Sequence, residues 1–169
     1  MRKLLLIVPF LLLMSCRPVQ APIPPTPVAD VTDTLACRPD VIKAMVDAWI
    51  ETGDGTSGAE AGFRIDVGKQ ELLVVPHEHT NEQGSLTTVI TILTTAEFHV
   101  HPLGMGGAPS TPDNNILGDP NHGDTKVADD ARIDIYTFNE QGLFVYRWDT
   151  KQIIKLRDGF DWKNPCPKR

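Results

Sequence analysis

The run Phe98-His99-Val100-His101-Pro102 places two histidines one residue apart. In an extended strand such positions face the same side roughly 7 Å apart, so both imidazoles can reach one cation. Two nitrogens do not complete a zinc site, which needs further donors and, where it is catalytic, one open position for water. A carboxylate must therefore come from a nearby turn. Asp113 lies beyond a loop containing Gly104, Gly106 and Gly107 that can fold back to the strand end. His99, His101, Asp113 and water form a coherent catalytic zinc set with bonds of about 2.0 to 2.2 Å. On the histidines alone, however, a half-buried strand that ends in two surface imidazoles is the simpler reading.

Other constellations are weaker. His77-Glu78-His79 is a second HxH, but Pro76 precedes it and Thr80 to Gly84 follow, which places it at a strand end in a hairpin. A cupin site needs a glutamate shortly after HxH, and Leu103 to Gly107 contains none. The run Gly118-Asp119-Pro120-Asn121-His122-Gly123-Asp124 loosely resembles phosphoesterase metal motifs without the paired strand ends these require, and reads as a polar loop bordering the cleft. No GxSxG nucleophile elbow occurs. The glycines Gly53, Gly55 and Gly58 are followed by no GK[ST], so they read as loop and not as a phosphate cradle.

The elements that must carry these residues follow from periodicity. Val41, Ala44, Met45, Ala48 and Trp49 recur at helical spacing behind Pro39, which predicts an amphipathic helix over Asp40 to Glu51. Strands are predicted at Gly62 to Val67, Glu71 to Val75, Ser85 to Leu93, Phe98 to His101, Arg132 to Phe138 and Leu143 to Trp148, all rich in Val, Ile, Thr and aromatic residues. One helix and about six strands make an α+β domain. A large (β/α) barrel is excluded, since 169 residues fall short of the roughly 200 it needs.

With those residues in place, the chain resembles the JAMM (JAB/MPN) metallopeptidases, whose signature is HxHP followed by a serine and, three positions later, an aspartate. His99, His101, Pro102, Ser110 and Asp113 carry the likeness. Glu60, ahead of Gly62-Phe63-Arg64-Ile65, resembles the glutamate that opens an early strand in that family, and Arg132 to Trp148 resembles the hairpin near the end of its sheet. The resemblance implies a mostly antiparallel central sheet with an N-terminal helix. It also implies one zinc ion on His99, His101 and Asp113. Glu60 would shuttle the proton, in preference to Glu51, Glu71 or Glu78. Ser110 would donate to the bound water or the oxyanion. The implied reaction is hydrolysis of a peptide or isopeptide bond. The chain departs from the pattern in two places: the loop between His101 and Ser110 is one residue longer, and residues after Asp113 read as loop where the family continues as a helix.

The N-terminus sets the expected location. Arg2 and Lys3 precede eleven apolar residues, Leu4 to Met14, too few for the roughly 20 of a membrane-spanning helix. Leu13-Met14-Ser15-Cys16 resembles the lipobox of bacterial lipoproteins, which implies a signal peptide over 1–15 and lipidation of Cys16; Arg17 leans towards an outer membrane where the cell has one. Residues 16–36 hold Pro18, Pro22, Pro24, Pro25 and Pro27 and read as an extended tether, with the domain over 37–169. Cys37 and Cys166 remain as an even pair in an exported chain, so one disulfide is expected. No CxxC occurs, which argues against a thiolate zinc knuckle.

Removing the leader takes the 16 basic residues to 14 against 22 acidic, changing net charge from -6 to -8. Such an acidic body argues against nucleic acid as a partner. Membrane contact is expected through the lipid alone, and the expected partner is a peptide or protein, such as a cell-wall peptide. A tethered zinc peptidase thus leads. A non-catalytic lipoprotein using a JAB-like sheet as a binding scaffold is the alternative, and simple metal capture in the envelope comes third.

Overall fold

The computed structural model describes residues 33–69, 71–77, 89–115, 121–164 and 166. The leader, Cys16 and nearly all of the tether lie outside these residues, as do His79 and the first part of the strand expected over Ser85 to Leu93.

Helix α1 spans Pro39–Glu51, with Pro39 in its first turn and Asp40 placed favourably for the helix dipole. Its buried stripe is Val41, Met45, Ala48 and Trp49, the face the spacing predicts. The strands are β1 (Gly62–Val67), β2 (Leu72–Pro76), β3 (Thr94–Val100), β4 (Asp134–Asn139), β5 (Gly142–Arg147) and β6 (Gln152–Asp158). A second helix, α2 (Asp124–Ala131), enters between β3 and β4, and a 3-10 turn, Gly159–Lys163, closes the chain. The domain is α+β, as expected. Among the described residues the strands form one sheet in the order β2-β1-β3-β4-β5-β6, in which only β3 and β4 run parallel. That parallel pair needs a long crossover, and residues 101–133, which include α2, supply it.

Period-two alternation divides the side chains between the two faces of the sheet. One face packs on α1: Phe63, Phe98 and Tyr136 form a stack with ring centroids 4.9 and 4.1 Å apart, and Val100, Phe138, Val145, Leu156 and Trp162 continue it. Ile135 and Tyr146 face the other way and pack with Ala128 of α2 and with Ile133. Glu97 and His99 alternate with Ala96, Phe98 and Val100, so they point away from the α1 core.

Several expectations need correction. β3 begins at Thr94, well before Phe98, and Val89 to Leu93 is not strand. Helix α2 and strand β6 were not foreseen. Asp33 and Ala36, just ahead of Cys37, are buried. Asp33 is tied in by Tyr136 Oη at 2.8 Å and by the Arg147 guanidinium at 2.5 Å.

Candidate metal centre

Strand β3 delivers His99 near its end and His101 just beyond it. Both are buried, each 4% exposed. Their neighbours are set by register. Gly62 of β1 lies opposite His99, and the N–H of Val100 donates to the Ala61 carbonyl at 2.9 Å. Continuing that antiparallel register brings Glu60 beside the histidine pair. Gly62 is required at its place: a Cβ there would lie 2.2 Å from the Phe98 carbonyl oxygen and 2.9 Å from the His99 Cβ.

The third member of the cluster is Asp124, the first residue of α2. Its carboxylate lies 3.5 Å from His99 Nε2 and 3.4 Å from His101 Nε2, while the two Nε2 atoms are 3.1 Å apart. Among the described residues, His99, His101 and Asp124 form the one group of three that could hold a metal ion. The structure does not bring Asp113 into it; that side chain is exposed in the turn Pro112–Asn114. Ser110 serves Asp124 directly. Its N–H and hydroxyl donate to Oδ2 at 2.6 and 2.9 Å, and its Oγ accepts the Asp124 N–H at 3.0 Å. The Ser110 carbonyl also accepts the Thr125 N–H at 3.0 Å, so this one serine pins the start of α2.

The outer ring nitrogens are also engaged. His101 Nδ1 lies 2.6 Å from the Gly106 carbonyl, which can only accept, so Nδ1 carries the proton. His99 Nδ1 lies 2.9 Å from Oε2 of Glu97, a fully buried carboxyl whose Oε1 is 3.1 Å from His77 Nε2. The loop bearing Gly106 is fastened to the β4–β5 hairpin. Thr137 Oγ1 donates to the Gly107 carbonyl at 2.6 Å, and Asn139 and Gln141 both donate to that of Met105.

Charge follows this geometry. Burial pushes Asp124 up, but His99 and His101 outweigh it and hold the carboxyl well below its ordinary value. Burial pulls His99 down, yet Glu97 and Asp124 raise it well above 6.5. Glu97 is held below its usual range by His99 and His77 against the cost of burial. Glu60 is raised, because burial outweighs the pull of His99 and His101. A carboxyl at once buried and within the field of both histidines suits proton transfer.

Neither Asp124 nor Glu97 was named from the sequence as part of the site, and His77 was assigned only to a strand end. Glu97 shares the face of His99 by the same alternation that singles out the histidines, so a strand recognised from Thr94 onwards points to it. Asp124 carried the signal of an acid at a helix start after glycine. The histidine of the polar loop, His122, is exposed. No family model, curated protein or solved structure matches the chain.

Proposed function

We propose that the chain is a zinc-dependent hydrolase of peptide or isopeptide bonds, with one zinc ion on His99, His101 and Asp124 and with Glu60 as the proton-transfer group. The observation that carries this reading is the convergence of three electron-pair donors. With both Nδ1 atoms turned to acceptors, the two Nε2 atoms and a carboxylate face one another at 3.1 to 3.5 Å, and once His99 gives up its second proton both Nε2 lone pairs are directed at one point. That arrangement calls for a cation. Ligands held at about 2.0 to 2.1 Å in a tetrahedron lie roughly 3.3 Å apart, which is the spacing found. Two histidines and one carboxylate leave the fourth position open, the pattern of catalytic rather than structural zinc.

Zinc held there would lower the pKa of a coordinated water towards about 7 and polarise a carbonyl. The chain's own residues supply the rest. Glu60 accepts a proton from the attacking water and returns it to the leaving amine. Ser110 holds Asp124 rather than the reacting oxygen, since its hydroxyl and N–H are both committed to Oδ2. The likeness to the JAMM peptidases supports the reading through His99, His101, Pro102 and Glu60 and through the helix that follows the aspartate, while Asp124 departs from that family's pattern by standing fourteen residues after Ser110 and not three. The lipobox-like Cys16 and the tether support action at the bacterial envelope, on wall peptides or secreted proteins.

Glu60→Gln tests the division of labour. Zinc content should stay near one per chain while hydrolysis of a peptide or isopeptide substrate falls about 10²- to 10⁴-fold, the range of general acid-base groups. Wild-type turnover in that variant removes Glu60 from the mechanism. Zinc without turnover in the wild type leaves the binding scaffold as the function.

A further inference from the structure

The two histidines are oriented by different means. His101 is held by a backbone carbonyl, which no substitution can remove, whereas His99 depends on one side chain, Glu97. Glu97 is 2% exposed and is itself fixed from a third strand region: His77, just past the end of β2, meets its other oxygen. His77 and Glu97 lie on either side of β1, and the residue of β1 level with His77 and His99 is Gly62, whose carbonyl accepts the His77 N–H at 2.9 Å. Gly62 places no side chain at that level of β1.

We propose that Glu97 is a positioning residue, fixed by His77, that selects the tautomer in which His99 presents Nε2 to the metal. This rests on the metal reading above. A carboxylate offers only acceptors, so Oε2 draws the imidazole proton to Nδ1 and leaves the Nε2 lone pair pointing at His101 and Asp124. Without that acceptor the proton can settle on Nε2, where it blocks the metal. The ring also loses its rotational restraint. Carboxylate partners of metal-bound histidines typically contribute 10- to 100-fold in metal affinity. His77 acts one step further out: it occupies Oε1 and thereby fixes the plane of the carboxylate.

Two readouts on the full chain test this: the tautomer of neutral His99 in metal-free protein, from long-range proton–nitrogen-15 correlations followed through a pH titration to the alkaline side where the imidazole has lost its second proton, and zinc affinity, from competition with a chelator. Wild-type His99 should carry its proton on Nδ1. Glu97→Ala should populate the Nε2–H form and weaken zinc about 10- to 100-fold. Glu97→Gln, whose amide oxygen still accepts from Nδ1, should restore both. His77→Gln should retain the wild-type tautomer, and His77→Leu should shift it partway towards Nε2–H. The His77 pair and Glu97→Gln keep the proposal testable if Glu97→Ala does not fold. An Nε2–H His99 in the wild type overturns the proposal. So does zinc affinity that is unchanged in a folded Glu97→Ala. A wild type that shows Nδ1–H but takes no zinc overturns the metal reading instead, and leaves Glu97 a buried structural acceptor; the tautomer separates the two failures.

Discussion

At His99 a proton would compete with the proposed metal ion for the same electron pair. In metal-free protein the proton is held tightly, because Glu97 and Asp124 raise His99 well above 6.5. A raised pKa contributes stability that is complete below 6.5 and is lost as pH rises through the raised value. Asp124, depressed by the two histidines, contributes above its ordinary 3.8 and loses that only as pH falls through its lowered value. The full contribution of the pair therefore spans pH 3.8 to 6.5. Glu60 adds the same sign as His99, since its raised pKa also favours the protonated form in the folded state. Metal-free protein should accordingly lose thermal stability as pH rises above 6.5, while the increment given by saturating zinc grows in the same direction. Melting curves with chelator and with zinc at several pH values check this. A metal-free melting temperature that rises as pH increases above 6.5 would contradict the assigned charges.

The elements place these residues with little tolerance, and Gly62 shows where the tolerance is least. An added methyl would have to displace the Phe98 carbonyl, which belongs to the strand carrying His99. Gly62→Ala should cost about 1 to 3 kcal/mol or more, as overpacking in a closed site does. It should also weaken zinc binding, because relief of the clash moves β3. Denaturant unfolding and a zinc competition assay read the two effects. The elements were unequally legible in the sequence. Helix α1 and strand β1 are long periodic patterns, and both were read nearly to the residue. Strand β3 was read short because Thr94, Thr95 and Glu97 break the apolar signal; Glu97 is a buried charge whose partners come from elsewhere in the fold. Helix α2 has eight residues, of which only Thr125 and Ala128 are buried, so it offers almost no hydrophobic periodicity. The sequence therefore points to Asp113, at the spacing of a short motif, and not to Asp124. The carboxylate that meets the histidines is set by where a helix begins, and the loop ahead of it is longer than the motif allows.

For the whole molecule, the two ends of the described chain meet. Asp33 sits in a buried network with Tyr136 and Arg147, and the Arg147 guanidinium also reaches Asp134. Cys37 and Cys166 are free thiols here, with Cys166 Sγ 3.4 Å from the Cys37 carbonyl. Burial and the neighbouring Cys166 push the Cys37 thiol up to about 11, so it holds its proton and oxidises slowly unaided. In protein exported to an oxidising compartment the pair should nevertheless be bridged, contributing roughly 5 kcal/mol in the chain-entropy model. Alkylation before and after reduction measures this: both cysteines should be protected until reductant is added, and free labelling of both in native exported protein would contradict it. The mature N-terminus, read by mass spectrometry, should be a lipidated Cys16.

The expected behaviour of the chain comes down to which side chains hold zinc. Purified protein reconstituted with zinc and freed of excess should contain one ion per chain by elemental analysis. His99→Ala, His101→Ala and Asp124→Ala should each release it, while Asp113→Ala should retain it, because the structure sets that residue outside the cluster. A wild type without zinc, or an Asp124→Ala variant that holds a full equivalent, would contradict the site described here.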